Sequence, residues 1–369
     1  MFTWGLTTSM AINRRKFLGN VSALTLANLF LPKSLANLPT ANSEHIIGTS
    51  RLDEQHFTVS SIDLDGRLNW QLLLPSRGHD VCCHDNKPIA AVIARRPDRY
   101  IILFDPVTGV ALQELTVDAN LKLNGHACWV GDKLIVTASD RVSSKMCLLV
   151  YSLHDSLLEL TTIKHFEYFG PHEIISANSE IWVAVGGLKT QGRDVTNKQT
   201  LESFLLRLTT QLDIIEEHPA PFASVSLRHL AIDDQNQVFI AGQFQLDPND
   251  SPPLLYALRN KQLLPFETEP ALWSQVNGYI GSIICVENNV VASSPRSHWL
   301  GWFDSNTLTQ QKSFMSADVC ALANTNQGLV AGAGTGRLYM QGRLISSKVR
   351  WDNHFMSYLI NSEKPAKIN

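Results

Sequence analysis

The sequence predicts an all-β fold: a β-propeller of about seven four-stranded antiparallel blades. Three observations lead there. Helical periodicity is nearly absent beyond the N-terminal segment. Short apolar runs alternate instead with turn signals, the pattern of strands joined as hairpins. A longer repeat lies over these runs. Arg77-Gly78-His79, Gly125-His126, Pro171-His172 and Arg228-His229 place histidines at steps of 47, 46 and 57 residues, near the period of propeller blades.

Taken in chain order, residues 1–36 read as a twin-arginine signal peptide. Arg14-Arg15 precede Phe17-Leu18 and an apolar stretch over 17–31, and Ser34-Leu35-Ala36 predicts cleavage before Asn37. The stretch is too short and too polar to remain as a membrane span. The expected location is therefore the periplasm, with no stable membrane insertion. Residues 37–362 form the predicted propeller and 363–369 a frayed tail.

One blade is readable strand by strand. From His79 a strand runs to the Asp85-Asn86-Lys87-Pro88 turn, a second occupies 89–94, and a third 100–104. A fourth follows Thr108-Gly109 and ends near Val117. A single β-sandwich of ~300 residues without a second domain would be unusual. An open ring would leave two sheet edges. The strand near His45-Ile46-Ile47-Gly48 is therefore expected to join a blade made by the C-terminal strands, the last of them at 351–359.

Composition excludes several function classes. The 369 residues are 44% hydrophobic and 18% charged, with a formal net charge of -3. No basic surplus supports non-specific nucleic-acid binding. Six cysteines are scattered without a CxxC or CxxCH unit, so no thiol-redox motif or haem attachment is signalled. Most of them read as small buried apolar residues. Cys82-Cys83-His84 reads as a core strand, and Gly332-Ala333-Gly334-Thr335-Gly336 as a hairpin turn, because no Lys-Ser/Thr follows it. Trp299 and Trp302 read as packing between blades. No nucleophile elbow supports a hydrolase.

Nine motifs then occur in a distinctive order. They are Arg77-Gly78-His79, Ala94-Arg95-Arg96-Pro97, Gly125-His126, Gly170-Pro171-His172-Glu173, Val185-Gly186-Gly187, Ser226-Leu227-Arg228-His229-Leu230-Ala231, Tyr279-Ile280-Gly281-Ser282, Ser294-Pro295-Arg296 and Asp318-Val319-Cys320. With these the chain resembles the bacterial family called domain of unknown function 1513, over nearly all of the exported part. The resemblance implies a twin-arginine-exported propeller. It also implies partners among imelysin-type or other periplasmic iron-uptake proteins, beside whose genes the family is found. One departure stands out. After Gly186-Gly187 the family carries Thr-His-Pro, whereas this chain has Leu188-Lys189-Thr190-Gln191-Gly192-Arg193.

In a propeller the first strand of each blade lines the central channel, so its leading residues converge from every blade. Arg77, His79, His126, His172, Arg228, His229, Tyr279 and Arg296 are thus expected around one mouth as a ligand site. Three readings stay open. Imidazoles facing one point suit iron, copper or zinc, which gives His79, His126, His172 and His229 as metal ligands, with Asp318 or Glu173 adding a carboxylate. Arginine forks suit an anion or an acidic partner segment. Histidines at blade starts also serve as inter-blade hydrogen-bonding groups, with no cofactor at all. The leading functional expectation is a binding protein with a role in iron acquisition. The alternative is a metal-dependent redox enzyme with a His-lined channel.

Overall fold

The structure, a computed structural model, describes residues 43–191, 194–269 and 271–360. The signal peptide, its cleavage point and the tail at 363–369 lie outside the described residues. Seven four-stranded antiparallel sheets form a ring, as the repeat requires. The blade read from His79 consists of Gly78–Cys83, Ala90–Ala94, Tyr100–Phe104 and Ala111–Thr116, the four strands expected.

The strand order shows why the sequence reads as short, unbroken apolar runs. The two middle strands of this blade, Ala90–Ala94 and Tyr100–Phe104, are buried at every position, because neighbouring blades cover both faces. The outer strand Ala111–Thr116 is largely exposed and carries a polar pattern. Trp302 packs against Tyr339 of the next blade, with ring centroids 6.0 Å apart, which is the inter-blade role expected of it.

Seven innermost strands run in the same direction around the channel. They are Gly78–Cys83, Leu121–Val130, Pro171–Ala177, Val225–Ile232, Ser282–Val286, Val319–Thr325 and Arg350–Leu359. Numbering blades in this order, the third carries an extra hairpin, Thr190–Gln191 with Asp194–Val195. That insertion explains the longer step between His172 and His229.

Ring closure uses both termini, but in a different share from the one expected. Glu44–Arg51, Phe57–Asp63 and Leu68–Leu74 supply the three outer strands of the seventh blade. The C-terminal end adds one inner strand, Arg350–Leu359, paired along Glu44–Arg51. The edge that each terminus would leave exposed is covered by the other.

The inner strands share a further irregularity. Pairing with the second strand slips between Gly78 and Asp80, Leu123 and Ala127, Pro171 and Ile174, and Leu227 and His229. It slips again between Val319 and Ala321, and opposite Gly48 and Ser50 in the seventh blade. A bulge at this level re-aims the side chains there, out of the regular in-and-out alternation.

Candidate metal centre

The bulges turn five histidines into the channel. His79, His126, His172 and His229 come from the first four blades, and His354 from the seventh. Their rings form one cluster: His126 lies 4.6 Å from His172 and 5.0 Å from His354, and His229 lies 5.0 Å from His172 and 4.8 Å from His354. The four histidines expected to converge are therefore together, below the rim and inside the channel. His126 is completely buried. Ser282 and Cys320 take the corresponding places in the fifth and sixth blades, Cys320 pointing its thiol at the carbonyls of Gly332 and Trp351.

Two carboxylates order the cluster. Asp80 accepts from Nδ1 of His126 at 2.9 Å, and Glu173 from Nδ1 of His229 at 3.1 Å and from the Leu230 amide at 2.9 Å. Each acid directly follows a histidine in sequence and supports the histidine of the next blade. The Ser282 hydroxyl stands 3.5 Å from Nδ1 of His354. With Nδ1 engaged, His126, His229 and His354 keep Nε2 as the nitrogen left to offer, that of His126 already facing Nε2 of His79. Each of the three can offer one ring nitrogen within 4.8 Å of the other two. Three ligands on one ion at ~2.0–2.1 Å stand ~3.4–3.6 Å apart, so a pair at that limit would have to close by about an ångström or more.

His79 and His172 flank this triad differently. Nε2 of His79 lies 3.1 Å from Nε2 of His126. Two nitrogens on one ion at ~2.0–2.1 Å are separated by ~2.9 Å at a right angle and ~3.4 Å at the tetrahedral angle, so this spacing fits neighbouring ligands. Nδ1 of His79 is buried without a hydrogen-bond partner. Nδ1 of His172 faces the Arg228 guanidinium at 3.4 Å. Because arginine only donates, His172 is held with its proton on Nε2, which makes it the poorest ligand of the five.

Electrostatics favours neutral imidazoles. Burial pushes His79, His172 and His229 well below the usual histidine range, and neighbouring cationic groups add to the effect. His354 is pushed down to about 3, again chiefly by burial. Burial also opposes charge on His126, but the hydrogen bond and negative charge of Asp80 outweigh it and raise that pKa. Burial raises Glu173 above the ordinary carboxyl value. A divalent cation among these rings would be balanced by two carboxylates one shell away.

The remaining expected site residues divide around the mouth. Arg77 binds Asp352 through two nitrogens, and Arg95 approaches the same carboxylate at 4.0 Å. The Arg296 guanidinium stacks 3.9 Å over the Tyr279 ring. Arg228 is buried beside His172. Asp318 is a correction. Placed by sequence among the ligands, it does not join the histidine groups. Its carboxylate packs over Gly334, and its amide donates to His298 at 3.0 Å. Its left-handed backbone, at φ 55°, precedes the bulge and leads it to the rim. Glu173 bonds His229 rather than joining the histidine groups. His354, Asp80 and Asp352 were not anticipated. A signal for the acids exists in the repeated His-acid pairs His79-Asp80 and His172-Glu173. His354 follows Asn353 rather than the Gly, Pro or Arg that marks the other four.

Asp80, Glu173, Ser282 and His354 line one end of a channel of about 470 Å³, whose far end is lined by Asp85 and Asn324. The cysteines add no reactive group here: burial raises all six thiols, and none is disulfide-bonded. Cys82 and His84 are core residues, His84 bonding Asp132 at 3.0 Å. No described helix is long and apolar enough to cross a membrane.

Comparison with known proteins agrees with the architecture. A family model described as "Protein of unknown function (DUF1513)" matches residues 72–358. No curated protein sequence matches the chain. Among solved structures, it is similar to hydrazine synthase of Kuenenia stuttgartiensis, with a TM-score of 0.56 at 10% identity, covering 83% of this chain and 95% of that one. The WD40 β-propeller domain of Doa1 matches with a TM-score of 0.53 at 9% identity, covering 79% and 91%. The Dos1 propeller matches with a TM-score of 0.53 at 12% identity, covering 85% and 86%. At such identities the likeness speaks for the fold alone.

Proposed function

The chain belongs to the DUF1513 family of proteins of unknown function, and we propose that it is a propeller that binds one transition-metal ion in its channel. His126, His229 and His354 are the ligands, with His79 flanking His126. The observation that carries this reading is the outward engagement of Nδ1 by Asp80, Glu173 and Ser282. Carboxylates behind ligating histidines fix the ring orientation and raise its basicity, the usual second shell of a metal site. Imidazole ligands without thiolate suit iron, copper, nickel or zinc and disfavour calcium and magnesium. The proposed compartment is the periplasm, on the Arg14-Arg15 motif alone, and the proposed setting is iron acquisition, on the family resemblance alone.

Metal analysis of the purified protein tests the site. About one transition-metal ion per chain is expected, either as purified or after titration of stripped protein. His126→Ala should abolish it, because that ring is common to both possible ligand groups. A stripped protein that shows no saturable binding of ferrous, cupric or zinc ions would refute the reading.

A further inference from the structure

The mouth above the histidines holds cationic groups that no acid balances. Arg228 is only 8% exposed. Among the described residues its one hydrogen-bonding contact is the neutral His172 ring, and its Nε is buried without a partner. Among the described residues, no carboxylate lies within ion-pair distance of Arg228, Arg96 or Lys122, whereas Arg77 and Arg95 share Asp352. A buried guanidinium left without a counter-charge is costly.

Three blades bring these groups together. Arg96 sits in the loop after Ala90–Ala94, Lys122 at the start of Leu121–Val130, and Arg228 at the bulge of Val225–Ile232. All three lie toward the end of the ring where the inner strands begin. Arg96 acts electrostatically on both Arg228 and Lys122. Burial comes first among the causes that lower Lys122 to about 8 and Arg228 to about 10, and the cationic neighbours deepen both shifts. Lys122 reaches the hydroxyl of Thr190 on the extra hairpin at 2.6 Å. Tyr279, under Arg296, also acts electrostatically on Arg228.

We infer that this mouth is a binding site for a small polyanion bearing carboxylate or phosphate groups, held by Arg228, Arg96 and Lys122. Arg228 presents a planar fork from a desolvated position, where a charge-assisted hydrogen bond is strongest. Arg96, at the solvent edge, and Lys122, on the next blade, supply two further donors. The site stands on arginine and lysine alone and does not depend on the metal reading beneath it.

Calorimetric titration of the full chain with inorganic phosphate and with citrate tests the inference, using protein stripped of metal. Saturable binding of at least one is expected. Stronger phosphate binding would assign phosphate chemistry to the site, and stronger citrate binding carboxylate chemistry. Arg228→Gln should weaken binding at least tenfold. Arg96→Gln should weaken it several-fold, and because Arg96 is exposed this variant keeps the fold intact. Lys312→Gln, far from the mouth on the outer side of the fifth blade, should leave anion binding within about twofold. Absence of saturable binding of both probes overturns the inference. So does binding that neither arginine variant alters.

Discussion

Gly125 has no space for a side chain. Its φ is +100°, and a Cβ there would stand 2.2 Å from Cδ2 of His79. The Gly-His step is therefore a packing requirement: the glycine of one blade makes room for the histidine of the blade before it. Gly125→Ala should destabilise the protein by about 1–3 kcal/mol through backbone strain and displacement of His79. Urea denaturation of the metal-free protein measures this, and an unchanged midpoint would contradict it. Asp80→Asn and Glu173→Gln address the supporting shell. Each should weaken metal binding roughly 10–100-fold, read by competition with a chelating indicator. Equal affinity in the variants would assign the acids a purely structural role. The histidines also set a pH dependence. His79, His172, His229 and His354 have lowered pKa values in the folded chain, mainly because they are buried. The unfolded chain takes up their protons near pH ~6.5, and the folded chain does not. The stability they contribute is thus complete above that pH and falls as the pH drops below it. His126, raised by Asp80, acts in the opposite sense and offsets one of the four. The urea midpoint of metal-free protein should therefore be lower at pH 5 than at pH 7.5. A flat or rising midpoint on acidification would count against neutral, buried imidazoles.

At the scale of the strand, the bulge is what turns a blade repeat into a site. In regular pairing, successive residues point to opposite sides, and a histidine next to a carboxylate could not both serve one centre. The slip between Gly78 and Asp80, or between Pro171 and Ile174, relaxes that alternation. In the seventh blade the same task falls to Asn353, which has φ 59° and donates to the Gly78 carbonyl at 3.2 Å. Asn353→Gly should be tolerated, while Asn353→Val should cost about 1–2 kcal/mol, the penalty of a left-handed conformation, and loosen His354. Thermal melts and metal titration of the two variants distinguish this from a neutral surface position, for which both would behave alike. Bulges also explain what was hard to read from the sequence. The strands themselves were legible, since apolar runs such as 89–94 and 100–104 are covered on both faces. The histidines of four blades were legible from their spacing. Which groups stand behind them was not, because alternation assigns Asp80 and Glu173 to the wrong side. Asp318 was misassigned for the related reason that its left-handed backbone leads it to the rim.

The whole ring depends on one strand at its C-terminal end. Arg350–Leu359 is paired along Glu44–Arg51 and sits innermost in its blade. Removing residues 350–369 should leave the N-terminal three strands with an open edge and eliminate His354. Loss of a cooperative unfolding transition, together with loss of metal binding, is the expected result. Circular dichroism melts of the truncated chain decide it, and a sharp transition near that of the intact protein would show that closure is dispensable. Blade number and the use of both termini were readable from the repeat length and from the rule against open edges. The three-to-one share was not, because the strands at 57–63 and 68–74 carry no landmark resembling those of the other blades.

That same strand gives the protein an order of events. Synthesis proceeds from the N-terminus, so His79, His126, His172 and His229 all emerge before His354. Until the final strand docks, the triad lacks a member, and the newly made chain would offer an ion only the group of His79, His126 and His172. On the proposed reading, capture of an ion by the complete triad would report a finished ring, and a molecule interrupted late in translation would lack that triad however well its earlier blades had formed.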